Sequence, residues 1–332
     1  MPQYLPRRSL GPYQVTSVGY GCMNISHAYG VPPPAEEGAR LLLEAFHLGV
    51  NFFDTAALYG FGSNEELVGK TLKNHRHEII LASKGGMAGV DGKRVINGRP
   101  EALRKNIEDS LRRLQTDVID LYYLHRLDMT VPIEDSVGEM ARFVQEGKVK
   151  EIGLSEISSA TLKRAQVIHP IAALQTEYSL WTRNPEISLL KTCKELGVTF
   201  VAFSPVARGF LGGKLLDIST LPANDIRRTM PRFYPENYVK NLELLKQYEL
   251  LAKEQDCTMA QLSLAWLLNK DPDLVVIPGT TKSDHLKENV DAGGIRLSSD
   301  IMRRLDILIN QDTVVGARYN EPTQKEIDTE EF

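Results

Sequence analysis

Eight short β-rich runs, at 18–23, 51–54, 79–84, 119–125, 150–155, 172–178, 199–204 and 274–278, alternate with helical patterns along nearly the whole chain. Repeating strand-then-helix units imply parallel strands joined by right-handed crossovers. Eight such units within 332 residues fit a (β/α)8 TIM barrel, with residues 1–332 as a single domain. The helical patterns lie near 35–48, 64–73, 100–114, 133–146, 158–168, 186–196 and 282–291. The strongest runs from Pro100 to Leu114, with proline in its first turn and Leu103, Ile107, Leu111 and Leu114 as an apolar stripe. An open doubly wound sheet is the competing architecture. It usually carries G-x-G-x-x-G after its first strand, and Gly19-Tyr-Gly-Cys-Met-Asn lacks that spacing.

Two additions to the barrel are expected. Residues 4–17 read as an N-terminal β-hairpin, and residues 208–236 as a long connection after the seventh strand. Extra helices at 237–254 and 259–268 delay the eighth strand. Long βα loops sit on the catalytic face and shape binding there. The acidic tail, 319–332, is expected to fray.

Composition narrows the function classes. A net charge of −4 asks for neither nucleic acid nor an anionic membrane as partner. No run approaches the roughly 20 apolar residues that span a bilayer, and the first residues lack an apolar signal core. Cys22, Cys193 and Cys257 have no close pairing, which argues against a disulfide framework and against zinc. A cytoplasmic protein acting on a small molecule is the expectation; oligomerisation is possible but not indicated.

Three proton-handling side chains end separate strand runs: Asp54, Lys84 and His125. Tyr59 follows in the loop after Asp54. A barrel brings the ends of strands two, three and four together on its active rim. A free tyrosine, with a pKa of about 10, is a poor acid near neutrality. A lysine ammonium alongside is expected to lower that value, with aspartate keeping the lysine charged and aimed. Histidine can orient a carbonyl oxygen or share the proton. Singly, each residue reads as a cap, a packing ring or a solvated end. Their joint spacing favours a unit that protonates an oxygen.

These residues and their neighbours resemble the aldo-keto reductase family. Asn51-Phe-Phe-Asp-Thr-Ala-Ala-Leu-Tyr-Gly with Asn64-Glu-Glu-Leu-Val-Gly is similar to its first signature, and Leu111 to His125 to its second. The likeness runs from Val18-Gly-Tyr-Gly-Cys-Met to Pro278-Gly-Thr-Thr-Lys and the helix beyond. It implies Tyr59 as general acid in an NADPH-dependent reduction of an aldehyde or ketone. It also implies cofactor positions: Gly21, Cys22, Met23 and Asp54 at the first rim, and Ser155 and Gln175 on the nicotinamide carboxamide. Phe203 would stack on the nicotinamide ring. Ser204, Pro205, Val206, Arg208, Gly209, Leu211 and Lys214 would follow the pyrophosphate.

The last segment implied is Pro278, Gly279, Thr280, Thr281, Lys282, Ser283, His285, Glu288 and Asn289. Its helix N-terminus favours a phosphate. Lys282 and Ser283 resemble the pair that recognises the adenosine 2′-phosphate, and Glu288 and Asn289 match adenine contacts. Glu156 stands where many members have Asn. Met23, Tyr59, His125, Arg126 and Trp181 are the candidate substrate pocket, together with the 228–238 loop; Trp181 reads equally as packing. Two rival readings share the fold: a regulatory NADPH-binding subunit of the potassium-channel β type, and an aldolase with Lys84 as Schiff-base nucleophile.

Overall fold

The computed structural model describes residues 5–26, 28–90 and 92–332. Tyr4 of the expected hairpin and Asp91 of the glycine-rich segment after Lys84 lie outside these residues. Twelve strands are present among those described. A first hairpin pairs β1 (Arg7–Leu10) with β2 (Tyr13–Thr16). The main sheet comprises β3 (Tyr20–Gly21), β4 (Phe52–Asp54), β5 (Ile80–Gly85), β8 (Ile119–Leu124), β9 (Val149–Ser155), β10 (Ala173–Glu177), β11 (Thr199–Phe203) and β12 (Val275–Val276). A second hairpin, β6 (Met87–Val90) with β7 (Lys93–Ile96), follows β5 in the glycine-rich segment.

The main sheet is parallel and runs in chain order from β3 to β12. A parallel bridge between Val18 and Val276 joins its two edges. Gly19 N donates to Val276 O at 2.8 Å and Val276 N to Ser17 O at 3.0 Å, so the sheet closes on itself. Each expected strand is present, within a few residues of its expected bounds. The connecting helices are α1 (Ala35–His47), α2 (Ser63–Leu72), α3 (Pro100–Leu114), α4 (Ile133–Gln145), α5 (Ser159–Ile168) and α6 (Leu189–Leu196). Then follow α7 (Pro235–Glu254), α8 (Met259–Lys270), α9 (Ser283–Asp291), α10 (Ser299–Leu308) and the short α11 (Glu321–Gln324).

Alternation along the strands builds two cores. Phe52, Ala82, Leu121, Tyr123, Ala173 and Val201 fill the barrel interior, where Leu10 and Val15 of the first hairpin plug the lower end. The opposite faces, among them Phe53, Leu81 and Tyr122, pack outward against the helices. The C-terminal stretch docks against the barrel. Asp328 accepts hydrogen bonds from Ser158 N (3.1 Å), Ser158 Oγ (2.8 Å) and Thr161 Oγ1 (2.6 Å), at the start of α5. Tyr319 and Ile327 are buried. A carboxylate at a helix N-terminus, with the apolar Tyr319 and Ile327 before it, supplies these contacts.

Helix packing is tightest where α2 meets the end of α3. A Cβ built on Gly69 would lie 2.5 Å from backbone atoms of Leu114. Backbone cannot swing aside as a side chain can. Gly69→Ala is expected to cost about 1–3 kcal/mol, read as a lowered thermal midpoint with the catalytic rim intact.

Candidate active site

The ends of β4, β5 and β8 bring Asp54, Lys84 and His125 to one rim, with Tyr59 above them. Backbone hydrogen bonds set the spacing: Ala57 N donates to Lys84 O at 3.1 Å, and His125 N to Gly85 O at 2.8 Å. The Thr55 hydroxyl donates to Asn64 Oδ1 at 2.6 Å, and Asn64 Nδ2 reaches Cys22 O at 2.8 Å, which fastens the Tyr59 loop to the first rim. Lys84 Nζ donates to Asp54 Oδ1 and, at 2.8 Å, to Thr55 O; its side chain is fully buried. It stands 5.1 Å from the centre of the Tyr59 ring. His125 meets that ring edge-on, with centroids 5.8 Å apart.

Electrostatics here run partly against the sequence expectation. Burial pushes the Tyr59 phenol up; the Lys84 ammonium opposes this, yet the net direction is above the ordinary value. Burial alone would lower Lys84, but Asp54 and Tyr59 outweigh it and the ammonium is held more firmly than in water. In this enclosed site desolvation of the phenolate exceeds the pull of the cation.

Asp54, Tyr59 and His125 line one end of a cleft of ≈ 1360 Å³, with Lys84 buried behind them. Most expected cofactor positions line it too: Gly21, Met23, Asp54, Ser155, Gln175, Phe203, Ser204, Pro205, Val206, Arg208, Gly209 and Lys214, then Pro278, Gly279, Thr280, His285, Glu288 and Asn289. Five do not. Cys22 is buried and contributes its carbonyl to Asn64, and Leu211 is core. Thr281, Lys282 and Ser283 lie beyond the enclosed wall, at the exposed start of α9. Of the candidate pocket residues, Met23, Tyr59, His125 and Arg126 line the cleft. Trp181 does not: it stacks on Phe210 at 4.1 Å and is buried as packing. From the 228–238 loop, Thr229 and Met230 reach the cleft.

The wall fits an extended dinucleotide. Ser204, Ala207, Arg208 and Gly209 all have positive φ, which turns the backbone after β11 into the kind of concavity that presents N–H groups to an anion. At the opposite wall a Cβ on Gly279 would lie 2.5 Å from Asn24 Oδ1 and 2.7 Å from Gly21 O, so only glycine lets these loops close up there. Two expected contacts differ. Gln175 Nε2 donates to Asp54 Oδ2 at 2.8 Å. Arg208 is already paired: its Nη2 donates to Glu177 Oε2 at 2.6 Å and to the Tyr319 hydroxyl at 2.9 Å.

Sequence reasoning missed the cluster behind this. Glu156, with φ 56°, turns away from the cleft. Its carboxylate accepts from Glu177 N (2.9 Å) and Arg318 Nη2 (2.6 Å), while Arg318 Nε reaches Glu177 Oε2 at 2.9 Å. The two carboxylates and two guanidiniums are nearly excluded from solvent. They bind the C-terminal segment to the rims of β9 and β10, and Tyr319, Asn320 and Thr323 thereby join the cleft wall. The only sequence signal was a Glu in place of Asn at position 156.

Residues 17–310 match the aldo/keto reductase family. The chain belongs to that family. A probable aldo-keto reductase of Glycine max is 45% identical over 311 residues, covering 92% of this chain and 89% of the relative. Among solved structures, a glycerol dehydrogenase from Gluconobacter oxydans superposes with a TM-score of 0.83 at 28% identity, over 91% of this chain and 94% of that one. An aldo-keto reductase of Bacillus halodurans in its holo form gives 0.76 at 30% identity, over 96% and 99%. As an aldo/keto reductase, the protein is an NADP-dependent oxidoreductase of carbonyl compounds.

Breaking the Glu156–Arg318 pair leaves a buried charge uncompensated. Arg318→Met is expected to destabilise the protein by about 3–5 kcal/mol and to expose the C-terminal segment to limited proteolysis. Burial would raise Glu177, but Arg208 and Arg318 outweigh it and depress it to about 2. Its stabilising contribution is therefore full above its unfolded value and is lost as pH falls towards 2. Wild-type acid melts should show that loss between pH of about 4.5 and 2, and it should shrink in Arg318→Met.

Proposed function

We propose that the protein reduces an aldehyde or ketone to an alcohol with Tyr59 as general acid and NADPH as reductant. The observation that carries this reading is the buried Lys84 ammonium, held by Asp54 and standing against Tyr59, with His125 across the ring. Bound nicotinamide supplies hydride to the carbonyl carbon. Tyr59 holds the proton that the oxygen needs, and His125 offers a second polar contact to that oxygen. Lys84 lies where it stabilises the phenolate left after proton transfer, and Asp54 keeps the ammonium in place. A Schiff-base role for Lys84 fits poorly, because a nucleophilic lysine needs a lowered pKa and burial here is overridden upward.

Tyr59→Phe is expected to lower carbonyl reduction by about a hundredfold or more. NADPH binding, followed by its fluorescence, should be largely retained. Reduction near wild-type rate in that variant would remove Tyr59 from the acid role. The raised phenol also fixes a sign for pH. The acid form prevails below its pKa, so reduction should hold through neutrality and fall only in strongly alkaline buffer, while alcohol oxidation rises there.

NADPH preference rests on Lys282, Ser283 and His285 at the start of α9. A carboxylate stands beside them: Glu44 of α1 accepts a hydrogen bond from Ser283 Oγ and pairs with Arg40 (3.0 Å) and Lys287 (3.7 Å). It occupies the hydroxyl that a 2′-phosphate would use and repels a second anion. Glu44→Gln is expected to tighten NADPH by about two- to fivefold, with a smaller change for NADH. Equal shifts for the two coenzymes would place Glu44 outside this subsite.

A further inference from the structure

Among the arginines that line the cleft, Arg126 stands apart. Arg94 pairs with Glu326, Arg208 with Glu177 and Arg227 with Asp225. Arg126 also lines the cleft, yet among the described residues it has no carboxylate partner. One of its nitrogens, Nη1, donates to His125 O at 3.0 Å and to Ser155 Oγ at 3.4 Å. These two bonds hold the guanidinium at the rim between β8 and β9, one residue from His125.

The surroundings make that charge count. Met23, Leu58 and Met87 form the apolar wall around Tyr59. The other nearby charges, Asp54 and Lys84, cancel each other and are buried. The substrate end of the cleft therefore carries one uncompensated positive charge, partly shielded from water, where an anion is bound more strongly than at an open surface. Arginine's planar fork suits the two oxygens of a carboxylate or phosphate, and Nε and Nη2 make none of the hydrogen bonds that tie Nη1 down. The electrostatic influence of Arg126 extends to the Tyr59 phenol, which it draws downward after burial and Lys84 have acted.

We infer that Arg126 is the specificity determinant for an anionic carbonyl substrate, an aldehyde or ketone bearing a carboxylate or phosphate that pairs with its guanidinium while the carbonyl lies against Tyr59 and His125. This rests on the proposed reductase reading and names the substrate class for the same site.

Matched pairs test it: succinic semialdehyde against its methyl ester, and glyceraldehyde phosphate against glyceraldehyde, each with saturating NADPH. Wild type should favour the anionic member of at least one pair, and which pair responds separates carboxylate from phosphate. In Arg126→Met the ratio of kcat/KM, anionic over neutral, should fall about ten- to hundredfold, the usual reach of a charged hydrogen bond. The loss should lie mainly in KM, and Arg126→Lys should restore part of the ratio because it returns charge without the fork. Dissociation constants for NADPH measured on the same variants complete the test. A ratio that does not move, or a loss confined to NADPH binding, overturns the inference. Failure of the reductase reading is distinguishable, since wild type would then reduce neither member of any pair.

Discussion

An ammonium and a carboxylate buried together at the top of the barrel constrain everything around them. Lys84 and Asp54 are almost wholly withdrawn from water, and each charge alone would cost several kcal/mol to bury. The cost is offset only if every hydrogen-bonding position finds a partner. Lys84 uses Asp54 and the Thr55 carbonyl, and the second oxygen of Asp54 takes a hydrogen bond from Gln175 across the barrel. Three strands, β4, β5 and β10, are thereby held in a single register. A one-residue slip in any of them would turn a charged group into the apolar interior or out towards the helices. The pair that would tune the acid is thus also a fold-specifying contact.

Much of this was legible in the chain, for a physical reason. Parallel strands repeat with local hydrophobic patterns, and polar residues interrupt those patterns at the strand ends, so Asp54, Lys84 and His125 announce both a strand boundary and a rim position. What depended on partners far along the chain was not legible. Asp328 reads as part of an acidic tail until Ser158 and Thr161 are seen to donate to it. Glu156 reads only as a Glu in place of Asn until Arg318 is found behind it. Trp181 could have faced substrate, and only the parallel ring of Phe210 decides for packing. The direction of the Tyr59 shift was missed because a residue list contains charges but not the desolvation that opposes them.

The cluster of Glu156, Glu177, Arg208 and Arg318 changes how the cleft binds an anion. The family resemblance puts Arg208 along the pyrophosphate, where Glu177 already neutralises it. A diphosphate approaching this wall therefore meets little net charge from that guanidinium. Its attraction must come in larger part from other donors, among them backbone N–H groups of the loop after β11, where Ser204, Ala207, Arg208 and Gly209 have positive φ. Such donors are fixed by the loop and lose no rotamer freedom on binding, which favours recognition by shape over recognition by charge.

That distribution bears on selectivity within the cleft. Where every other arginine on the wall is balanced in advance, the dinucleotide end offers geometry and the Tyr59 end offers Arg126. A long-range field that drew any anion into the whole cleft would let phosphates compete with substrate for the reacting position. Pairing Arg94, Arg208 and Arg227 with carboxylates removes most of that field. The arginine left unbalanced is then the one closest in sequence to His125, so this guanidinium's charge falls at the place where the carbonyl must be oriented.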